Sequence, residues 1–170
     1  MFPNRTRGSR WWLSASKALI LLLCFVDLSY GATLISCSDG DTCRFKEGTK
    51  TIKVRLDGVD APEIDQPFGI ESRDFLIKFL KGKDVTLKCR GLTYDRVACK
   101  VFVGQQDVLE HLVRNGLAWD FPKYSSRVYQ TAQKEAQRRK VGLWSKPLAV
   151  SPHCWRWTGT KDCNDSTYMP

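Results

Sequence analysis

The chain of 170 residues has a net charge of +9, from 27 lysines and arginines against 18 aspartates and glutamates. It has no internal repeat and no low-complexity segment, which excludes repeat arrays and low-complexity proteins. The basic charge favours a polyanionic partner, such as nucleic acid, an anionic glycan or a membrane surface, but does not choose among them.

The first 31 residues have the pattern of a secretory signal peptide. Four basic residues precede an apolar run at 18–26, and small residues follow, with cleavage predicted after Gly31. The run is short for a membrane span, so an uncleaved anchor is the alternative. The rest, long enough for one domain with its own core, is divided into a domain at 32–146 and a tail at 147–170.

Six cysteines follow the signal segment, and exported chains use such cysteines as disulfides. They fall into three neighbouring pairs, which we predict to bridge short loops: Cys37–Cys43, Cys89–Cys99 and Cys154–Cys163. Zinc is the alternative, but the chain has no C-x-x-C motif and only 2 histidines.

Two strands are predicted within 34–45, joined by a turn at 38–42 whose Asp-Gly pair favours a hairpin. A third strand is predicted over 51–56, where apolar and charged or polar side chains alternate.

The loop after this third strand carries a concentration of charge. Arg55 lies near the strand end, and Asp60 and Glu63 flank Pro62, which favours irregular backbone. An ordinary surface turn with solvated charges is the alternative interpretation of these residues alone.

The later elements follow from helical spacing, strand alternation and turn residues. In chain order they are a helix over 71–81, two paired strands over 85–89 and 97–103, a helix over 106–117, an aromatic loop over 118–126 and a helix over 126–141. Short strands with tight turns, followed by helices, predict an α+β fold with a small, partly open barrel of the OB kind. The tail shows few periodic features.

From about residue 34 to residue 145 the chain resembles the staphylococcal nuclease family. Five short motifs have the family's order and spacing: Asp39-Gly-Asp41-Thr42, Arg55-x4-Asp60-x-Pro62-Glu63, Tyr94-x-Arg96, Leu112-Val-Arg-x-Gly-Leu-Ala118 and Gly142-Leu-Trp144-Ser145. The resemblance implies a five-stranded OB-like β-barrel capped by three helices, with a Ca²⁺-dependent phosphodiesterase site.

The resemblance also implies the metal ligands. Asp41 and Asp60 would bind Ca²⁺ through their carboxylates, and Ala61 would bind it through its backbone carbonyl. Asp39 would contact a ligand rather than the metal. Oxygen donors of this kind suit a hard cation.

The remaining roles concern the substrate. Glu63 would be the general base or orient the attacking water, and Arg55 and Arg96 would hold the phosphate. Tyr94 and Tyr124 would stack on nucleic acid bases.

Together with the predicted signal peptide, the resemblance predicts a secreted or periplasmic, monomeric Ca²⁺-dependent endonuclease with no stable protein partner. It would act on DNA and RNA and prefer single strands. One departure from the family is Asp95, where the family often has glycine before the second arginine. The alternatives are a nuclease-like domain that binds nucleic acid without cleaving it, and a basic membrane- or glycan-binding domain.

Overall fold

The computed structural model describes residues 31–147 and 149–158, except for the side chain of residue 93. The predicted signal segment, apart from Gly31, lies outside the described residues, and so does Cys163 of the third predicted disulfide. Within the described ranges, no helix is both long and apolar enough to span a bilayer.

The strands form where apolar and polar side chains alternate. In chain order they are β1 (Thr33–Cys37), β2 (Thr42–Glu47), β3 (Lys50–Leu56), β4 (Val59–Asp60), β5 (Thr86–Thr93), β6 (Arg96–Val103), β7 (Gln106–Asp107) and β8 (Trp119–Asp120). In β3, for example, Val54 and Leu56 are buried whereas Lys50 and Thr51 are exposed.

The main sheet has the strand order β1-β2-β3-β6-β5, with β7 paired to β6, and β4 and β8 form a separate antiparallel pair. The strands of the main sheet pair antiparallel except β3 and β6, which are parallel. Ala32 and Val85, which precede β1 and β5, exchange two backbone hydrogen bonds of 2.8 Å. The two edges of the sheet therefore meet at one end, as in a partly open barrel, and the α+β prediction is confirmed.

The helices lie after the first strands, as predicted. They are α1 (Gly69–Leu80), α2 (Val108–Arg114), α3 (Pro122–Ser125), α4 (Gln130–Arg139) and α5 (Pro152–Thr158), with a 3-10 helix at Gly142–Ser145. The helix predicted over 106–117 starts later because Asp107 caps it. Oδ1 of Asp107 accepts hydrogen bonds from the backbone amides of Leu109 and Glu110 at 2.9 and 3.3 Å.

Two other boundaries differ from the sequence prediction. The helix predicted over 126–141 begins only at Gln130, because Ser126 and Arg127 have left-handed backbone angles, with φ of 53° and 62°. The aromatic segment predicted as a loop contains β8 and the single turn of α3. In the tail, where the sequence predicts no regular element, α5 forms with Cys154 buried.

The core lies between the sheet and the helices. Phe45, Val54 and Val101 from the strands and Leu76 and Leu112 from the helices are fully buried. This packing fixes the positions of the start of β2, the end of β3 and the start of β6.

Two of the three predicted disulfides are confirmed. Cys37–Cys43 closes the turn between β1 and β2, and Cys89–Cys99 joins facing positions of β5 and β6. A bridge of this kind stabilises a fold by about 2–4 kcal/mol, mainly by restricting the unfolded chain.

Candidate active site

A cavity of about 420 Å³ opens beside the ends of β2 and β3. All the residues to which the resemblance assigns a role line it: Asp39, Asp41, Arg55, Asp60, Ala61, Glu63, Tyr94, Arg96 and Tyr124. The structure therefore brings together side chains that the sequence places in four separate segments.

The turn that carries Asp39 and Asp41 is closed by the first disulfide. Oδ1 of Asp39 accepts a hydrogen bond of 2.9 Å from the Asp41 amide, which shapes the turn. Gly40 is needed there because a Cβ would lie 2.1 Å from Oγ of Ser72 and 2.7 Å from Cβ of Ala61. The turn thus packs directly against α1 and the loop after β4, and Asp41 is buried.

Arg55 joins two of the buried aspartates that line the cavity. Its Nη1 lies 2.7 Å from Oδ2 of Asp41, and its Nη2 lies 2.8 Å from Oδ1 of Asp60. The register of β2 and β3 places Arg55 opposite Thr42, next to Asp41 along the chain. The backbone amide of Ala61 also donates to Oδ2 of Asp41 at 2.9 Å, so this carboxylate is fixed from two sides.

Burial raises the pKa of the Asp41 carboxyl to about 8. The guanidinium of Arg55 opposes this shift, while the neighbouring carboxylates of Asp39 and Asp60 add to it. Two carboxylates held this close inside the protein require positive charge beside them.

The donor set fits a hard divalent cation. Asp41 and Asp60 offer only carboxylate oxygens, which Ca²⁺ prefers, and both side chains are already held in place. Among the described residues there is no group of three or more histidine, cysteine, aspartate or glutamate side chains arranged to hold a metal. A cation here would therefore complete its coordination with the backbone, water or substrate.

Glu63 contacts Arg156, a residue of the tail that no sequence motif singles out. Its Oε1 lies 2.5 Å from Nη1 of Arg156 on α5, and Nη2 of the same arginine lies 3.4 Å from Oδ2 of Asp60. No sequence pattern predicted this contact, because it depends on how the tail packs. The backbone amide of Glu63 donates to Oε1 of Gln66 at 3.1 Å, which fixes the loop.

Arg96 is directed towards the cavity from the start of β6. Its Nη1 donates to Oγ1 of Thr42 at 3.0 Å. Its Nε is buried and has no hydrogen-bond acceptor within the described part of the chain; Oδ1 of Asp95 is 3.9 Å away. Asp95 instead pairs with Lys53, whose Nζ lies 2.5 Å from its Oδ2. Arg96 thus keeps a donor for an anion entering the cavity.

The rim of the cavity carries aromatic and basic side chains. Tyr94, at the tip of the β5–β6 hairpin, is 94% exposed, and Tyr124 on α3 is 45% exposed. The guanidinium of Arg90 lies 5.2 Å from the centre of the Tyr124 ring and pairs with Asp57. Arg90 lines the same cavity, although no sequence motif assigns it a role.

Known proteins are similar in sequence to this chain. Residues 53–146 match the model of a family described as staphylococcal nuclease homologue. An uncharacterized endonuclease of Haemophilus influenzae is 36% identical over 126 residues, which cover 72% of this chain and 71% of that protein. An uncharacterized endonuclease of Escherichia coli is 35% identical over 69% of this chain and 79% of its own length.

A plant protein is similar over a comparable length. A staphylococcal-like nuclease of Arabidopsis thaliana is 33% identical over 116 residues, or 66% of this chain. The match covers only 35% of that protein. The similarity to the plant protein therefore concerns about a third of that protein.

Proposed function

Because this chain belongs to the staphylococcal nuclease family, we propose that it is a Ca²⁺-dependent endonuclease that hydrolyses the phosphodiester bonds of DNA and RNA. The observation that carries the proposal is the cavity itself, where two buried aspartates, a third carboxylate and inward-facing guanidinium groups meet. The related bacterial proteins named as endonucleases support the same activity.

In this proposal Arg55 and Arg96 bind the phosphate of the substrate. A phosphodiester is an anion, and its hydrolysis gathers further charge on the oxygens around phosphorus. Guanidinium groups match those oxygens through paired hydrogen bonds. Arg96 has a buried Nε–H without a hydrogen-bond acceptor in the described structure, which favours its role as a phosphate ligand.

Glu63 acts on the water in this proposal. Its carboxylate takes a proton as the water oxygen bonds to phosphorus, and the bond from phosphorus to one sugar oxygen breaks. That sugar oxygen is protonated from solvent. A positioned base of this kind accelerates a reaction by roughly 10²–10⁴-fold. The hydrogen bond from the Glu63 amide to Gln66 holds the loop that carries the base.

Asp41 and Asp60 hold Ca²⁺ in this proposal, together with the backbone carbonyl of Ala61. When bound, Ca²⁺ supplies Lewis-acid stabilisation of a phosphate oxygen. Arg55 contacts both carboxylates and so holds them on the same side of the cavity. Asp39 supports Asp41 through the turn.

The exposed tyrosines favour single-stranded substrates. Unpaired bases can stack on Tyr94 and Tyr124, at about 1–3 kcal/mol per base, whereas bases within a duplex cannot. Both rings lie at the cavity and are open to solvent. Stacking does not depend on the sugar, which accounts for action on both DNA and RNA.

The two disulfides suit an oxidising compartment, so we place the protein outside the cell or in the periplasm. The predicted signal segment supports the same location. We propose that the protein acts there as a monomer.

A second candidate function is nucleic acid binding without cleavage. It is favoured by the ion pairs of Arg55 and Arg156, which engage the carboxylates of Asp41, Asp60 and Glu63. A cation and a water molecule would have to compete with both arginines.

Circular single-stranded DNA separates these functions, because only an endonuclease can open it. The oxidised protein, purified from an exporting host, is incubated with the circle and with RNA, in Ca²⁺ and in excess EGTA. We expect cleavage of both substrates in Ca²⁺ and none in EGTA, and loss of cleavage in Asp41→Asn. Binding without cleavage in Ca²⁺ would establish the second candidate, and the absence of both would contradict the two together.

A further inference from the structure

The C-terminal helix α5 contributes a side chain to the cavity. Arg156 lines it, together with Arg55, Arg90 and Arg96. Its side chain is 44% exposed, whereas that of Asp60, one of its partners, is 2% exposed. The guanidinium thus lies at the opening of the cavity, between the buried carboxylates and solvent.

Hydrogen bonds between the tail and the loop that carries Glu63 fix the position of Arg156. The buried side chain of Gln66 accepts a hydrogen bond from the Glu63 amide and donates one of 2.8 Å to the carbonyl of Val150. Nε1 of Trp155, next to Arg156, donates to Oδ1 of Asp65 at 3.2 Å. The loop that carries Glu63 is therefore held at two points to the part of the tail that precedes Arg156.

The charges around Arg156 indicate what it can bind. It contacts Glu63 and Asp60, which have roles in hydrolysis and in cation binding. Asp60 would share its carboxylate between Arg156 and a cation held there, and the like charges of the two would repel each other. Because Arg156 is half-exposed, its guanidinium could then turn to an anion at the opening of the cavity.

We propose that Arg156 is a third phosphate-binding arginine of the site, which contacts a phosphate of the bound strand and pairs with Glu63 when no strand is present. The inference rests on the proposed function, since it assumes a nucleic acid substrate. The chemistry is that of a forked guanidinium with an anionic phosphodiester, as for Arg55 and Arg96.

The test compares Arg156→Ala with Arg73→Ala. Arg73 lies on α1, pairs with the adjacent Asp74 and does not line the cavity, so its removal controls for the loss of one positive charge. Binding of a fluorescent single-stranded oligonucleotide is measured at several salt concentrations, in EGTA and, with a cleavage-resistant phosphorothioate oligonucleotide, in Ca²⁺. Cleavage kinetics are measured in Ca²⁺.

We expect Arg156→Ala to weaken oligonucleotide binding about tenfold relative to Arg73→Ala. The plot of the logarithm of the binding constant against the logarithm of the salt concentration should become less steep by about 0.7, which is the amount for one phosphate contact on a single strand. KM should rise by more than kcat falls. Arg156→Lys should keep the salt slope but recover only part of the affinity, because lysine lacks the planar fork.

Other results would overturn the inference. If Arg156→Ala and Arg73→Ala bind alike while the unmodified protein still cleaves, Arg156 does not contact phosphate and the proposed function stands. If Arg156→Ala cleaves faster with unchanged binding, Arg156 only obstructs Glu63. If the unmodified protein neither binds nor cleaves the oligonucleotide, the inference fails together with the proposed function.

Discussion

Nζ of Lys53 lies 2.5 Å from Oδ2 of Asp95, and this hydrogen bond lowers the pKa of the Asp95 carboxyl. Asp95 precedes Arg96 at a position where the family often has glycine. Because Asp95 pairs with Lys53 and lies 3.9 Å from Nε of Arg96, it leaves Arg96 available to the cavity. The departure from the family pattern is therefore compensated within the same sheet.

The first prediction follows from this pair. Asp95→Asn should change cleavage by less than about threefold, whereas Lys53→Met should lower it more, because the freed carboxylate then turns to Arg96. The double variant should recover the unmodified rate, and a double-mutant cycle measures the coupling. A large gain of activity in Asp95→Asn alone would show that Asp95 does restrain Arg96.

The second prediction concerns the base. Glu63→Gln should reduce turnover by about 10²-fold or more, because the amide cannot accept the proton of water. Circular dichroism and oligonucleotide affinity should remain close to those of the unmodified protein. Glu71→Gln, an exposed change at the start of α1, is the matched control. An unchanged rate in Glu63→Gln would remove Glu63 from the mechanism.

The third prediction concerns Arg55 as a structural ion. Arg55→Met should lower the free energy of unfolding by about 3–5 kcal/mol, since it leaves the buried Asp41 and Asp60 carboxylates without their shared partner. Urea unfolding measures the loss, and Arg44→Met, on the exposed side of β2, is the control.

Ca²⁺ should offset part of this loss, because it supplies the missing positive charge. At a hundred times its dissociation constant, a ligand stabilises the folded state by about 2.7 kcal/mol. Equal unfolding midpoints for Arg55→Met with and without Ca²⁺ would argue against a cation at these carboxylates.

The fourth prediction is a pH dependence that arises away from the cavity. Burial raises the pKa of Tyr129 far above its usual value, and the negative charge of Asp107 and the hydrogen bond of 3.0 Å from the Tyr129 hydroxyl to Oδ2 of Asp107 raise it further. Above about pH 10 the unfolded chain therefore loses this proton while the folded protein keeps it. The contribution of Tyr129 to the free energy of unfolding is therefore fully present below about pH 10, and the stability of the protein should fall as the pH rises above that value.

Urea unfolding between pH 7 and pH 10.5 tests this dependence. Tyr129→Phe should be less stable at pH 7, by about 0.5–1.5 kcal/mol for the lost hydrogen bond, but should lose less stability above pH 10. Tyr94→Phe, at an exposed tyrosine, should follow the unmodified protein. Parallel curves for all three proteins would contradict the assignment to Tyr129.

The fifth prediction concerns the disulfides. Replacing Cys89 and Cys99 together by serine should lower the free energy of unfolding by about 2–4 kcal/mol. Mass mapping of the unreduced protein should find both bridges described here and also Cys154–Cys163, which stays a prediction. A peptide linking Cys37 to Cys154 would contradict the neighbouring-pair pattern.

The sequence predicted the features that depend on neighbouring residues. The alternation of apolar and polar side chains predicted β3 and the hairpin of β5 and β6. The short spacing between cysteines predicted the two described disulfides. The segments that bear Asp41, Asp60 and Glu63 were identified by motif, and the structure does place them at one cavity.

The rest depends on contacts between distant parts of the chain. No pattern of neighbouring residues in the sequence predicts the parallel pairing of β3 with β6 or the bridge from Ala32 to Val85. The delayed start of α4 depends on left-handed angles at Ser126, which no residue preference demands. Arg156 was missed because a helix of two turns has too little periodicity to predict, and its contact with Glu63 exists only after the tail has packed.

The two described disulfides have a consequence for how the protein is made. Cys37 and Cys43 are six residues apart, and Cys89 and Cys99 are ten apart, each within one hairpin. A chain that emerges from its N-terminal side presents Cys43 to Cys37 well before Cys89 appears, so the first bridge can close while no later cysteine competes for it. For these two bridges, biosynthesis should require an oxidant but not an isomerase.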